Sequence, residues 1–275
     1  AEYGITDVYE TYDSTEEIDA RLTACDTGFD VVGHAGSYAA RLIDAGKLAP
    51  LDLTNLGNVS HMDPEIVAHI ASDWGSENKN FIPYMWGTHG ITYNGAWVLV
   101  TYPDAPIRSG DMIFDPVHVR KLAECGVSFL DSPGDMIPMA LVHLGWDPNA
   151  TDPDDYRKAV EMLSDIRPYI RTFDNFAYLE MPEEAFCAVT TWGPDGLTAM
   201  STAQEAGTGV VPDFFLPPGD GAAQLWIDGW GIPADAANIQ DAHLFLNYMM
   251  RLEVAAADSN YTWYATANLT AKPMI

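Results

Sequence analysis

Three stretches set tryptophan and aspartate within a few residues of one another. "TTWGPDG" (190–196) holds Trp192 and Asp195, "QLWIDGWGIP" (224–233) holds Trp226, Asp228 and Trp230, and "VSFLDSPGD" (127–135) ends in Asp131 and Asp135. "YTWYATAN" (261–268) adds Trp263 and Tyr264. Aromatic faces beside separated carboxylates suit an organic cation: each carboxylate pairs with an ammonium, and the ring quadrupole attracts the charge and its methylenes. Each residue also has a purely structural use. Asp195 and Asp135 stand where a helix N-cap belongs, and capping alone would account for them. Asp228 lies inside an apolar strand pattern, where an ionised group is kept only with a partner or a use. Singly, Trp192, Trp226 and Tyr264 read as core; their recurrence beside acids points to a site.

Catalytic and metal chemistry lack a motif. The seven histidines form no HExxH, and no GxSxG, P-loop or GxGxxG is present. His34, after "FDVVG", and His89, in "WGTHG", read as loop histidines within reach of a cleft, with ordinary hydrogen bonding the simpler use. No catalytic residue, metal or cofactor is expected, and the chain is not read as an enzyme. "GPDG" and "PPGDG" are turn chemistry.

The elements that would position these residues alternate along the chain. "STEE" caps a first helix through Ser14 and Glu17, with Ile18 and Leu22 on one face. "FDVVGHAG" reads as a strand, followed by a helix over "SYAARLIDAGKL" that closes near Gly46. Asp115–Pro116 opens a helix that stops at Gly126, "VSFLD" is a strand, and "GDMIPMALVHLG" is a helix ending at Gly145. "DPDDYRKAVEMLSDI" repeats the Asp-Pro start, "FCAVTTW" is a buried strand, and "DGLTAMSTAQEAG" is a helix closed by Gly207. After the strand "AQLWIDGWGIP", "DAHLFLNYMMRLEVAAADS" is one long helix or two short ones. Such alternation predicts an α/β fold with mainly parallel strands, whose ligands bind beyond the carboxyl ends of the strands.

The chain of 275 residues suffices for one large domain or two ordinary ones. Forty acids against 13 Lys plus Arg give a formal net charge of −27, spread along the sequence. Such a surface repels nucleic acid and anionic membranes, and favours cationic partners or a salty medium. No run reaches the ~18 apolar residues of a membrane helix, and the acidic start "AEYGITDVYETYD" is not a signal peptide. Cys25, Cys125 and Cys187 have no metal-ligand spacing and allow one disulfide and one spare thiol. Asn58, Asn149, Asn260 and Asn268 open N-x-S/T triplets.

Over nearly its whole length the chain resembles the periplasmic polyamine-binding proteins of ABC transporters, the putrescine/spermidine group of extracellular solute-binding proteins. The resemblance rests on "FDVVGHAGSYAARLIDAGKLAPLD", "IPYMWGTHGITYN", "CGVSFLDSPGDMIP" and "WIDGWGIPADAANIQDAHLFLNYMMRLEVAA", occurring in that order. It implies a two-lobed periplasmic-binding-protein fold (type II) with a hinge that closes on the ligand. The expected division is 1–87 with 210–261 as the first lobe and 88–209 with 262–275 as the second. It further implies a ligand-binding set of Trp192, Asp195, Asp135, Asp228, Trp226, Tyr264 and Ser37. In that set Trp192 is a wall for the methylene chain and Asp195 an anchor for an ammonium. It implies as partners a small cationic ligand and an ABC transporter permease, a periplasmic location and a monomer, with no nucleic acid and no membrane insertion. A Cys125–Cys187 disulfide follows from the same resemblance, leaving Cys25 free, in an oxidising compartment. Against the family pattern, an opening strand with its Trp-Ser-Asp-Tyr motif and the closing helices are expected to lie outside this sequence. Ala35 stands where the family commonly has serine and His34 where it has proline, which bears on which amine is taken. Two competing readings are another organic cation, such as a betaine or an amino acid, and an acidic hydrolase working with two carboxylates.

Overall fold

The computed structural model describes residues 3–24, 26–73, 79–183, 185–217 and 224–275. Cys25 and residues 218–221 of the turn "PPGDG" lie outside the described residues. In chain order the elements begin with α1 (Thr15–Ala24), β1 (Val32–Ala35), α2 (Gly36–Asp44), α3 (Pro64–Asp73) and β2 (Phe81–Asn94). There follow α4 (Gly95–Thr101), α5 (Asp111–Phe114), α6 (Pro116–Leu122), β3 (Val127–Phe129), α7 (Pro133–His143) and α8 (Pro153–Ile166). The remainder is β4 (Thr172–Phe173), β5 (Ala188–Trp192), α9 (Gly193–Ala206), β6 (Pro212–Phe215), β7 (Leu225–Gly231), α10 (Ile239–Met249), α11 (Leu252–Thr262) and β8 (Ala265–Thr266).

The chain forms two compact units, 1–86 with 226–275 and 87–225. These bounds differ from the expected division at two places, and strand pairing explains both. Strand β6 pairs with the second half of β2, Ile91 opposite Phe215, which draws 210–225 into the second unit. Strand β8 pairs with the first half of β2, Met85 opposite Thr266, which draws 262–275 into the first.

In the first unit β7 lies between β1 and β2. Its pairing with β1 is antiparallel, with Asp228 opposite Ala35 and Trp230 opposite Gly33. Helix α1 starts as its sequence dictates: Ser14 Oγ accepts from the Glu17 backbone N–H, and Glu17 reaches back to the backbone N–H of Asp13. Its Ile18 and Leu22 are buried with Val32, Leu42 and Leu48. The helical run after 238 is two helices, broken at Met250 and Arg251.

In the second unit β5 pairs antiparallel with β2 and parallel with β3, and β3 pairs parallel with β4. The sheet pairing is therefore mixed, with a larger antiparallel share than the alternation predicts. The long strand β2 is the reason, since β5, β6 and β8 all run antiparallel to it. The core joins Ile91, Phe129, Leu130, Met136, Ile166 and Phe215, with Trp192 packed against it. Asp115 caps α6 through the backbone N–H of Val117, and Asp152 caps α8 through that of Asp154. Cys125 and Cys187 are joined by a disulfide, with Cα atoms 5.5 Å apart.

Both loop histidines prove to be strand residues. His34 lies in β1 and His89 in β2, each 1% exposed. The glycines beside them mark close packing instead of turns. A Cβ on Gly33 would meet the Trp230 ring at 3.0 Å, and one on Gly90 would meet the Phe214 ring at 2.3 Å.

Candidate functional site

In the second unit two strand-to-helix turns share one design. Strand β5 feeds α9 through "WGPD" and β3 feeds α7 through "SPGD". The N-caps are Trp192 and Ser132, neither side chain making a cap hydrogen bond, and Asp195 and Asp135 each fall three residues later. The expected capping role is thus not theirs. They stand inside the first turn, where the free N–H groups and the positive end of the helix dipole support a negative charge.

Asp135 is the better-defined of the two. Trp192 Nε1–H donates to its Oδ2 at 3.1 Å, and His89 Nε2 lies 3.0 Å from its Oδ1. Burial pushes the carboxyl pKa up, but His89, Ser132 and Trp192 outweigh it, and the net effect is a lowered value. Strand register sets this geometry, because His89 and Trp192 are opposite one another on β2 and β5. An indole N–H and an imidazole nitrogen therefore flank one carboxylate that stays a fifth exposed. Such a group is ionised and held in place with lone pairs left over for a cation.

Asp195 is buried and receives the Tyr178 hydroxyl from the 3₁₀ turn Ala177–Glu183. Burial, then the Asp195 charge, then this hydrogen bond push the Tyr178 pKa up.

In the first unit Trp226, Asp228 and Trp230 share one face of β7, each half-buried and alternating with buried Ile227, Gly229 and Gly231. The Trp226 ring meets Tyr264 edge to face, centroids 5.2 Å apart. The indole N–H groups of Trp226 and Trp230 are buried without a hydrogen-bond acceptor. Burial raises the pKa of Tyr12 above the usual tyrosine range, and the Asp228 charge raises it further. The Tyr12 hydroxyl donates to the Gly33 carbonyl at 2.9 Å, which places it beside the β1–β7 pair. Ser37 sits exposed in the first turn of α2, two residues past the Ala35 cap, and brings no contact to this group. Tyr264 follows Trp263, whose φ of 66° ends α11 in the left-handed conformation.

A pocket of about 460 Å³ lies beside Tyr264, lined also by Trp86, Trp263, Thr266 and Lys272. Its lining includes no Asp or Glu side chain among the described residues, and the Lys272 ammonium pairs with Asp63 at 2.9 Å. Among the described residues no group of three or more His, Cys, Asp or Glu side chains converges as metal ligands. Among them, too, no helix is long and apolar enough to cross a membrane.

The structure therefore joins Trp192 to Asp135 and Trp226 to Tyr264, with Asp228 on the Trp226 face. The Trp192 N–H holds an acid, a contact its expected use as an apolar wall does not include. The sequence reads His89 only as a loop histidine within reach of a cleft, and does not single out Tyr178 or Tyr12. Only the alternation of apolar residues through "FIPYMWGTHGITYN" would have placed His89 on a strand.

By fold the chain is a solute-binding protein of the two-lobed α/β class. A putative spermidine/putrescine ABC transporter protein from Listeria monocytogenes superposes with a TM-score of 0.85 at 26% identity, covering 100% of this chain and 79% of that one. The chain belongs to the bacterial extracellular solute-binding proteins, whose family profile matches residues 1–274. It is 39% identical to the putrescine-binding periplasmic protein PotF of Escherichia coli (strain K12), over 100% of this chain and 74% of that protein. It is 36% identical, over the same shares, to the putrescine-binding periplasmic protein SpuD of Pseudomonas aeruginosa (strain UCBPP-PA14).

Proposed function

We propose that this protein captures a di- or polyamine of the putrescine/spermidine kind and delivers it to an ABC transporter permease. It does so without catalysis, as a monomer in the periplasm or outside the cell. One observation carries the reading: the Asp135 carboxylate, kept ionised by its neighbours and a fifth exposed beside the Trp192 ring. Its relatives named for putrescine support the ligand class, and a periplasmic location suits the disulfide.

In this reading Asp135 takes one ammonium while Trp192 contributes its ring to the methylenes. On the first unit Asp228 is the corresponding ammonium anchor, with Trp226 and Tyr264 as its apolar surroundings. Asp195 keeps a supporting role in the first group and Ser37 a peripheral one in the second. Each charge-assisted hydrogen bond contributes roughly 1.5–3 kcal/mol and each cation–π contact about 0.5–2 kcal/mol. Micromolar affinity requires about 8 kcal/mol net, a total to which each acid and ring contributes a part.

Isothermal titration with putrescine, cadaverine, spermidine and glycine betaine tests it. Saturable heat with the primary amines is expected, weakened roughly ten- to hundred-fold in Asp228→Asn and Asp135→Asn. Binding of betaine alone would transfer the site to a quaternary cation, and silence from every amine in a folded protein would refute the reading.

A further inference from the structure

We infer that His89 is a positioning residue for amine capture, acting through Asp135. The inference rests on the reading of Asp135 as an ammonium anchor. His89 sits in β2, 1% exposed, where an apolar or hydroxyl side chain would complete the strand. Neither ring nitrogen has a partner in hydrogen-bond alignment, and burying such a ring is costly. What the ring does face is the carboxylate: Nε2 lies 3.0 Å from Asp135 Oδ1. Its strand partner Trp192 takes Oδ2 at 3.1 Å.

Two nitrogens on neighbouring strands thus bracket one carboxylate, each on its own oxygen. This fixes the carboxylate plane, and with it the direction from which a primary ammonium can be received. Without His89 the carboxylate would keep Trp192 and the Ser132 hydroxyl, but Oδ1 would lose the ring that faces it across the strand. Because a carboxylate only accepts, a ring proton belongs on Nε2, the nitrogen that faces it. Trp192 and the Ser132 hydroxyl would already satisfy a merely structural need for donors. The His89 contact therefore serves orientation, and losing it weakens the amine without removing the charge that attracts it.

A double-mutant cycle on the whole chain separates this from a packing role, with putrescine as the probe and thermal unfolding as the check on folding. His89→Ala is expected to weaken putrescine about ten-fold. His89→Gln, which restores an N–H donor, is expected to return most of that loss. In an Asp135→Asn background, His89→Ala should change affinity by less than about two-fold, because the effect passes through the carboxylate. Equal losses in both backgrounds, or unchanged affinity in folded His89→Ala, would overturn the inference. Long-range ¹⁵N–¹H spectra of the ligand-free protein supply an arm that does not depend on amine binding. The Nε2-protonated tautomer is expected, with a resonance that moves in Asp135→Asn. A neutral ring protonated on Nδ1 would overturn the positioning role even if amines bind. Absence of amine binding, with the expected spectrum, would instead refute the functional reading and the capture role with it.

Discussion

A buried histidine and a half-buried aspartate of this chain carry linkages to pH of the same sign, each in its own pH window. Burial lowers the pKa of His34, a shift the Ala35 carbonyl and the Asp19 charge only partly offset and the Arg41 charge reinforces. The unfolded chain therefore binds the proton first, near pH 6.5, and the contribution of His34 to stability is present above that value and lost as pH falls. In the folded state its Nε2 has no acceptor to receive a proton. Denaturant titrations of the wild type and His34→Gln from pH 7.5 to 5 are expected to diverge below about pH 6.5. There the wild type loses up to about 1.4 kcal/mol more per pH unit; parallel curves would contradict the assignment. Asp135 has a lowered pKa, so its contribution is present above about pH 4 and lost as pH falls through the folded-state value. The deficit of Asp135→Asn relative to the wild type is accordingly expected to be flat from pH 7 to about 4.5 and to shrink below that.

Among the elements, the helix starts were the most legible parts of the sequence and the paired strands the least. Ser14, Asp115 and Asp152 cap the helices their local sequence announces, because capping is settled within three residues. Asp135 and Asp195 were read one step wrong. Their "Pro-Gly" and "Gly-Pro" neighbours start each helix earlier, which turns an apparent cap into a first-turn acid. The bracket around Asp135 needs His89 opposite Trp192, a pairing between strands about a hundred residues apart that no local pattern encodes. Gly229 shows the same limit. Within "WIDGWG" it looks like a flexible break, yet a Cβ there would lie 2.3 Å from the Ile82 carbonyl oxygen. Backbone cannot yield as a side-chain tip does, so Gly229→Ala is expected to destabilise the first unit by about 2 kcal/mol or more. Asp228 would shift with it. A thermal scan indistinguishable from the wild type would show that β2 and β7 can part at no cost.

At the scale of the whole molecule, charge sets conditions that no single site explains. With 40 acids and 13 Lys plus Arg, at least 27 carboxylates have no basic side chain to pair with one to one. Exposed pairs such as Arg157 with Asp154 at 2.7 Å contribute little each. Most of this charge therefore acts as a diffuse field, which opposes the compact state and attracts cations from a distance. Salt reaches both effects, since the Debye length falls from about 30 Å at 0.01 M to about 8 Å at 0.15 M. The apparent melting temperature is expected to rise with sodium chloride over that range as self-repulsion is screened. The association rate of putrescine, followed by tryptophan fluorescence in stopped flow, is expected to fall over the same range as steering is lost. Dissociation should change less, because the contacts of Asp135 with Trp192 and His89 are shielded from solvent ions by burial. Opposite slopes for stability and capture rate would identify the acidic surface as a steering field. Slopes of the same sign would confine the electrostatics of capture to the few carboxylates that touch the ligand.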